Sequence, residues 1–296
     1  MDAPCRRPAA PLRLCLRLVR PACGAGKRDQ NSIILLSRQR WDVSGAVELT
    51  DTVHAALDPD HQRSVAAGDL FALRVKDHTG EDYMLVSFHG DTNGTVTIPL
   101  VQAVHDVASS TGCRLIVGID ANTYQPGTKK LLPAAEFLAF CGGVGLSTCW
   151  GEGGESLGAA GCTTYNARTY LQPQLNKAVG RGEVSGDTHR HLKDYLLCYA
   201  AQGGWGQTLK DNTGKGPVRW HPSLRSPAAA LLSRTLSRPH HAALSEPSRN
   251  PLGSRAVTCV VCCGVGAQGN YDEDLIFPTL HFPSDHGIVI SELRAV

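Results

Sequence analysis

Short apolar runs, separated by polar residues, glycines or prolines, recur along most of the chain, and their lengths are typical of β-strands. They predict strands at 31–37, 69–76, 82–88, 114–119, 193–199 and 287–293, with a further strand and its turn at 41–51. The sequence Asp-His-Thr-Gly at 77–80 predicts a hairpin turn between two of these strands. The pattern therefore predicts a protein that is rich in short strands.

Two other segments have the spacing of helices. The segment 97–110 is predicted as a helix because most of the residues on one of its faces are apolar: Val101, Val104, His105 and Ala108. Gly112 supplies a stop for this helix. The segment 133–141 predicts a second helix. Helices alternating with strands, some of them in hairpins, indicate an α/β fold of packed layers with mixed sheets.

Two segments depart from this pattern, and both lack lasting periodicity. Residues 1–28 are rich in Arg, Pro, Ala and Leu, and three interpretations stay open: a targeting peptide, a disordered basic arm, or an extension without a function of its own. Residues 215–269 contain six prolines with Arg and Ser between them. Because a loop of this length is unusual within a compact domain, we interpret 215–269 as a disordered insertion in a domain spanning 29–296.

The net charge of +2 hides a strong asymmetry along the chain. The segments 1–28 and 215–269 each carry seven basic residues and one acidic residue. Subtracting them from the 29 basic and 27 acidic residues leaves 15 basic and 25 acidic residues elsewhere. The rest of the chain is therefore acidic, which disfavours a long nucleic-acid groove, since such a groove needs a basic stripe.

The length and the cysteines of the chain limit the number of domains, the compartment and the kinds of metal site. The 296 residues could hold one large domain or two small ones, and no apolar run approaches the roughly 18 residues of a membrane-spanning helix. The 11 cysteines are scattered and odd in number, which favours buried free thiols in a reducing, intracellular compartment. The Cys-x-x-Cys spacing of Cys259 and Cys262 lacks a second matching pair, so a zinc site is disfavoured.

Polar residues follow or precede several of the predicted strands, which suggests one convergent site. Asp285 and His286 come just before the last strand, Asp120 and Asn122 end the strand at 114–119, and His89 ends another. Each of these motifs has a simpler explanation that stays open: a turn cap for Asp285 and His286, an Asx turn for Asp120 and Asn122, or a strand-end histidine for His89. Asp194, in the predicted strand at 193–199, could instead form an ion pair with Lys193 or Arg190.

Together these motifs resemble the endonuclease/exonuclease/phosphatase superfamily of metal-dependent phosphoesterases. The resemblance covers roughly 30–214 and 270–296 and depends on four elements: Ser284-Asp285-His286, Gly118-Ile119-Asp120-Ala121-Asn122, Phe88-His89 and Lys193-Asp194-Tyr195-Leu196. It implies a four-layered α/β sandwich of two packed mixed sheets, with the site where the strands end. It also implies a divalent metal cofactor, Mg²⁺ or Mn²⁺, and hydrolysis of phosphoesters.

The resemblance also implies a role for each motif residue. His286 would act as the base-like imidazole at the scissile phosphate, oriented by Asp194, with Asp285 on the metal side. Asp120 would align or deprotonate the attacking water, Asn122 would hold that water or a phosphate oxygen, and His89 would donate a hydrogen bond to phosphate. Arg168 and Lys177 are candidate phosphate-binding residues, with a solvated loop as the alternative.

One element of the family pattern is missing. The family's first strands carry an Asn and then a Gln-Glu pair whose Glu is the main metal ligand, and here only the basic segment precedes Asn31. We therefore expect an N-terminally incomplete fold. An inactive phosphoesterase-like domain that serves as a binding or scaffold module stays the alternative to an enzyme. The substrate class also stays open between nucleic acid, nucleotides and phospholipid or inositol phosphates.

Overall fold

The computed structural model describes residues 16–19, 32–38, 40–124, 131–151, 161–165, 190–211, 256–261, 286 and 288–295. The strands are β1 (Leu16–Val19), β2 (Ile34–Ser37), β3 (Trp41–Glu48), β4 (Leu70–Asp77), β5 (Asp82–His89), β6 (Arg114–Asp120), β7 (Leu146–Thr148), β8 (Thr164–Tyr165), β9 (Arg190–His191), β10 (Asp194–Tyr199), β11 (Gly203–Asp211), β12 (Ala256–Val261) and β13 (Ile288–Ala295). The α-helices are α1 (Thr50–Ala55), α2 (Pro59–Ser64), α3 (Thr97–Thr111) and α4 (Ala134–Gly143).

A six-stranded mixed sheet forms the centre of the described fold. Its order is β3-β4-β5-β6-β10-β7, and all neighbours are antiparallel except β5 and β6. Parallel neighbours need a crossover connection, and α3 supplies it between β5 and β6. The predicted α/β fold with a mixed sheet is confirmed.

The two faces of this sheet are covered differently. Helices cover one face, where buried residues of α3 and α4 share a core with β4, β5 and β6: Leu100, Val101, Val104, Phe137, Ala72, Met84 and Leu115. A three-stranded sheet, ordered β11-β13-β12, contributes Leu293 to a second core with Phe71 and Ile116. The described residues thus form a helical layer and two packed sheets, while a fourth layer stays a prediction.

Helix α3 ends as its sequence predicts. Gly112 follows its last residue with φ of 65°, a left-handed conformation that glycine adopts without steric cost. The buried residues of α3 face the sheet and make burial of this helix the main source of its stability. Helix α3, which forms the β5–β6 crossover, is therefore packed firmly against the sheet, together with the turn that precedes it.

Several elements differ from the prediction. The segment 41–51 contains strand β3 and the start of α1, and α2 follows with Asp58 as its N-cap and Pro59 at its first position. Strand β1 lies in 1–28, and β12 lies in 215–269, where the sequence predicts no strand. The Ala-Val-Thr-Cys-Val-Val sequence of β12 has the β-branched content of a strand, and β12 pairs with β13, while the domain boundaries given above stay predictions. The rest of both segments lies outside the described residues.

Two further properties of the fold concern its cysteines and the length of its helices. Cys113, Cys141, Cys149, Cys162 and Cys198 are buried free thiols, and burial raises the pKa of Cys141 and of Cys149 to about 12. Such thiols are poor nucleophiles at neutral pH because the thiolate is the reactive form. Among the helices of the described ranges, none is long and apolar enough to cross a membrane.

Candidate active site

Strand pairing brings three polar side chains together at one edge of the six-stranded sheet. The parallel register of β5 and β6 places His89 beside Asp120, and the antiparallel register of β6 and β10 places Asp120 beside Asp194. His89 and Asp120 end their strands, while Asp194 begins its strand, so all three lie at the same edge. Asp120 and Asp194, which are 74 positions apart in the chain, thus become neighbours through register alone.

His286, two residues before β13, completes this group. An isolated antiparallel bridge to Thr164 positions its backbone. Its Nδ1 lies 3.1 Å from Oδ1 and 3.0 Å from Oδ2 of Asp194, and its Nε2 lies 3.6 Å from Oδ2 of Asp120. Its side chain is only 13% exposed. The imidazole therefore lies between two buried carboxylates, and Asp194 contacts one ring nitrogen while Asp120 lies near the other.

Asp120 lies at the centre of the charges in this site. Burial raises the pKa of its carboxyl above the ordinary value of 3.8, and the nearby charge of Asp194 acts in the same direction. His286, His89 and Lys193 partly oppose this shift. The Nε2 of His89 lies 3.5 Å from Asp120 Oδ2, and its side chain is 37% exposed. The surroundings of Asp120 therefore contain two imidazoles and an ammonium that favour a negative charge there.

Asn122 occupies a left-handed backbone conformation, with φ of 48°. Its backbone N–H donates to Asp120 Oδ1 at 3.0 Å, which is the Asx turn that the sequence left open as an explanation. Its side chain also takes part: Nδ2 donates to the carbonyl of Gly90 at 2.9 Å and lies 3.3 Å from Asp120 Oδ2. The turn and the site are thus the same structure, since the turn holds the amide against Asp120.

Two other buried residues support the group, and the sequence motifs gave neither of them a role in the site. Thr163 accepts the backbone N–H groups of Lys193 and Asp194 through Oγ1, both at 3.1 Å, which fixes the start of β10. Lys193 is buried, and its Nζ donates to Asn122 Oδ1 at 2.8 Å. The only sequence signal was the position of Lys193, immediately before the strand that begins with Asp194.

The turn between β5 and α3 packs tightly against the site. A Cβ atom on Gly90 would lie 2.9 Å from the carbonyl oxygen of Asp120 and 3.0 Å from Thr97 Oγ1, so this position has room only for glycine. Asp91 accepts the backbone N–H groups of Asn93 and Val96, which makes it a turn residue rather than a member of the site. The close approach keeps His89 and Asp120 side by side.

Three predicted site residues, Asp285, Arg168 and Lys177, lie outside the described residues. Among the described residues, Asp120, Asp194 and His286 form a group that could hold a metal ion, because each offers a ligand atom within 4.8 Å of the others. The structure therefore brings together His89, Asp120, Asn122, Asp194 and His286 of the predicted set. This constellation combines two carboxylates, an amide and two imidazoles, which are groups that can move protons, orient water and bind a cation.

No protein-family model and no curated protein matches the chain. Similar solved structures include the human Nocturnin catalytic domain with bound sulfate anion, with 12% identity and a TM-score of 0.41 over 89% of this chain and 63% of that chain. The endonuclease domain of TRAS1, a telomere-specific non-LTR retrotransposon, has 13% identity and a TM-score of 0.38 over 95% and 79% of the two chains. D. rerio TDP2 complexed with single strand DNA product has 11% identity and a TM-score of 0.35 over 61% and 63%. The chain thus spans 63% of the length of the Nocturnin and TDP2 structures.

Proposed function

We propose that this protein is a divalent-metal-dependent hydrolase of phosphoester bonds, acting as a phosphodiesterase, nuclease or phosphatase. The observation that carries the proposal is the contact between His286 and the buried Asp194, which lies beside Asp120 at one edge of the sheet. Phosphoester hydrolysis needs an aligned water, a proton for the leaving oxygen and neutralisation of negative charge. The residues at this edge can provide the first two, and a cation would provide the third.

A divalent cation fits the side chains present. Asp120 and Asp194 offer carboxylate oxygens, the ligands that Mg²⁺ and Mn²⁺ prefer, and both residues are buried. Burial raises the pKa of Asp120, the nearby carboxylate of Asp194 adds to this effect, and a bound cation would offset both. Asp120 and Asp194 would hold the ion, with Asp285 as a further ligand predicted from the sequence. Once bound, the ion would stabilise the charge that develops on the phosphoryl and leaving oxygens.

His286 is suited to move a proton. A histidine ring that donates from Nδ1 to Asp194 is held in one tautomer and one orientation, so that Nε2 points to the Asp120 side of the group. A protonated Nε2 can donate to the leaving oxygen as the bond between that oxygen and phosphorus breaks. Asp120 would align or deprotonate the attacking water, whose oxygen forms the new bond to phosphorus. His89 would donate to a phosphate oxygen from the exposed side.

The proposed reaction is common to several classes of substrate. Small phosphoesters, nucleotides, phospholipid or inositol-phosphate headgroups and single-stranded nucleic-acid ends all present the same anionic group. The acidic balance outside 1–28 and 215–269 supports a compact phosphoester over a long polynucleotide, because phosphate-tracking grooves are basic. An intracellular location is part of the same proposal and derives from the cysteine usage.

The proposal is tested by hydrolysis of bis(p-nitrophenyl) phosphate and p-nitrophenyl phosphate with Mg²⁺ or Mn²⁺, and with a chelator. We expect metal-dependent turnover that falls by about 10²–10⁴-fold in His286→Ala, because that substitution removes an acid–base group. The matched control is His61→Ala, which removes an exposed histidine that also contacts an aspartate.

Equal rates in the wild type and His286→Ala would contradict the assignment of His286. Absence of turnover in the wild type, together with Mg²⁺-dependent binding of phosphate that requires Asp120, would instead support the alternative of an inactive binding module.

A further inference from the structure

Lys193 is a buried lysine with a defined set of contacts. Only 7% of the residue is exposed, and lysines are almost never this buried unless their charge is paired. Its Nζ donates to Asn122 Oδ1 at 2.8 Å and lies 3.3 Å from the hydroxyl oxygen of Tyr124. It also lies 4.5 Å from the centroid of the Tyr124 ring, a distance typical of a cation–π contact. These contacts direct the ammonium toward the side chain that lies against Asp120.

Tyr124 holds this lysine in place. Its hydroxyl donates to the carbonyl of Thr92 at 2.7 Å, so its oxygen lone pairs are available to accept from the Lys193 ammonium. The ring supplies the cation–π contact from the same residue. A flexible four-carbon side chain is therefore confined to one position, and the position of its ammonium determines which atom of Asn122 can face it.

The ammonium permits only one orientation of the Asn122 amide. In the observed orientation Nδ2 donates to Gly90 and faces Asp120 Oδ2, while Oδ1 accepts from Lys193. A flipped amide would place its NH₂ group against an ammonium that has three donors and no acceptor. It would also place its oxygen against the oxygens of Gly90 and Asp120. Lys193 therefore selects the orientation in which Asn122 supports the Asp120 carboxylate.

We propose that Lys193 is a positioning residue of this site: its ammonium holds the amide oxygen of Asn122, so that Nδ2 stays on Asp120 and the second lone pair of Oδ1 accepts a hydrogen bond from the attacking water. The catalytic consequence rests on the proposed function, whereas the amide orientation does not. Lys193 acts through Asn122 rather than by touching the substrate, and this distinguishes it from the residues proposed to move protons.

A double-mutant cycle tests this coupling. We expect Lys193→Met to lower kcat for bis(p-nitrophenyl) phosphate by about 10–100-fold with little change in KM, as for other residues that orient a site group. In an Asn122→Ala background the same substitution should add little, because the residue through which it acts is gone. Lys193→Gln retains a donor of similar reach and should recover part of kcat.

The exposed Lys76 on β4 provides the matched control, since Lys76→Met removes the same charge away from the site. Independent losses from Lys193→Met and Asn122→Ala that multiply in the double variant would overturn the inference. A rise in KM with unchanged kcat in Lys193→Met would also overturn it, because a positioning residue acts on the geometry of the reacting groups.

A second measurement does not depend on activity. The side-chain amide signals of Asn122 in a ¹H–¹⁵N spectrum, assigned by their disappearance in Asn122→Ala, should move in Lys193→Met toward the position of unconstrained asparagine amides. Unchanged signals would overturn the inference even for an active enzyme. If the Asn122 signals shift between the wild type and Lys193→Met but the wild type hydrolyses no phosphoester, the proposed function is contradicted. The orientation of Asn122 by Lys193 would then still be supported.

Discussion

Two of the histidine–aspartate pairs among the described residues have the same chemistry in opposite surroundings. His61 and Asp58 lie three residues apart at the start of α2, and their side chains are 36% and 54% exposed. His286 and Asp194 are 92 residues apart, and their side chains are 13% and 3% exposed. Exposed ion pairs contribute little because water screens them, whereas a buried pair interacts strongly and changes the properties of its neighbours. Burial, rather than residue identity, therefore distinguishes the two pairs.

The neighbours of the two pairs explain the difference further. Asp58 uses its other interactions to cap α2, since it accepts the backbone N–H groups of Asp60 and His61, both at 3.0 Å. Asp194 instead lies beside Asp120 in the sheet, next to an imidazole and a buried lysine. One aspartate therefore serves a local helix end, and the other serves a convergent site built from several strands.

The largest expected difference comes from neutralising the aspartate of each pair. Asp194→Asn keeps the shape but removes the charge that orients His286, and we expect kcat/KM to fall by about 10–100-fold. Asp58→Asn keeps a good N-cap and should change kcat/KM by less than about twofold. Both are measured by steady-state hydrolysis of bis(p-nitrophenyl) phosphate. Similar losses in the two variants would show that burial does not separate the pairs.

Metal binding should also separate the two pairs, since each has a further aspartate nearby. Asp120 lies at the buried pair, and Asp60 lies at the exposed pair, where it contacts Arg63. We expect Mg²⁺ to raise the melting temperature of the wild type, corresponding to about 1.4 kcal/mol at ten times the dissociation constant. Asp120→Asn should lose this stabilisation and Asp60→Asn should retain it. The reverse result would place the ion at α2.

The tight packing around the buried pair offers a third comparison. Gly90→Ala would force a Cβ against the carbonyl of Asp120 and should cost about 1–3 kcal/mol of unfolding free energy through overpacking. It should also lower kcat, because Asn122 Nδ2 donates to the carbonyl of Gly90, and a shift of Gly90 away from Asp120 would disturb that hydrogen bond. Gly142→Ala in α4, where no atom lies within 4 Å of the new Cβ, is the control and should not reduce stability. Chemical denaturation of both variants measures the difference.

The smallest expected effect concerns the pH dependence of the exposed pair. The backbone hydrogen bond from His61 lowers the pKa of Asp58 below its ordinary value of 3.8. A carboxyl with a lowered folded-state pKa stabilises the fold above 3.8, and this contribution disappears as pH falls through the folded pKa. Asp58→Ala should therefore lower the melting temperature slightly at neutral pH, with a difference from wild type that shrinks in acid. A difference that grows below pH 3.8 would contradict this.

The local parts of the fold could be predicted from sequence because local chemistry determines them. The Asp77–Gly80 turn forms because Asp77 Oδ1 accepts the backbone N–H of Thr79 at 2.8 Å and Gly80 adopts φ of 90°. Helix α3 ends before Gly112 for a similar reason. The helices α1 and α2 were not predicted, because six residues are too few for a clear periodicity, and β12 was hidden in a proline-rich segment.

The site divides along the same line. The sequence showed His89, Asp120, Asn122 and His286 beside the ends of apolar strands, and the family resemblance added Asp194. Their mutual distances required the sheet, because a shift of one residue in the register of β6 and β10 would separate Asp120 from Asp194. The burial of Lys193 also depends on the tertiary structure. A lysine before a strand is ordinarily solvated, and here its side chain is buried because it packs against Tyr124 and Asn122. Strand ends are thus encoded locally, while register and burial arise from contacts between residues far apart in the chain.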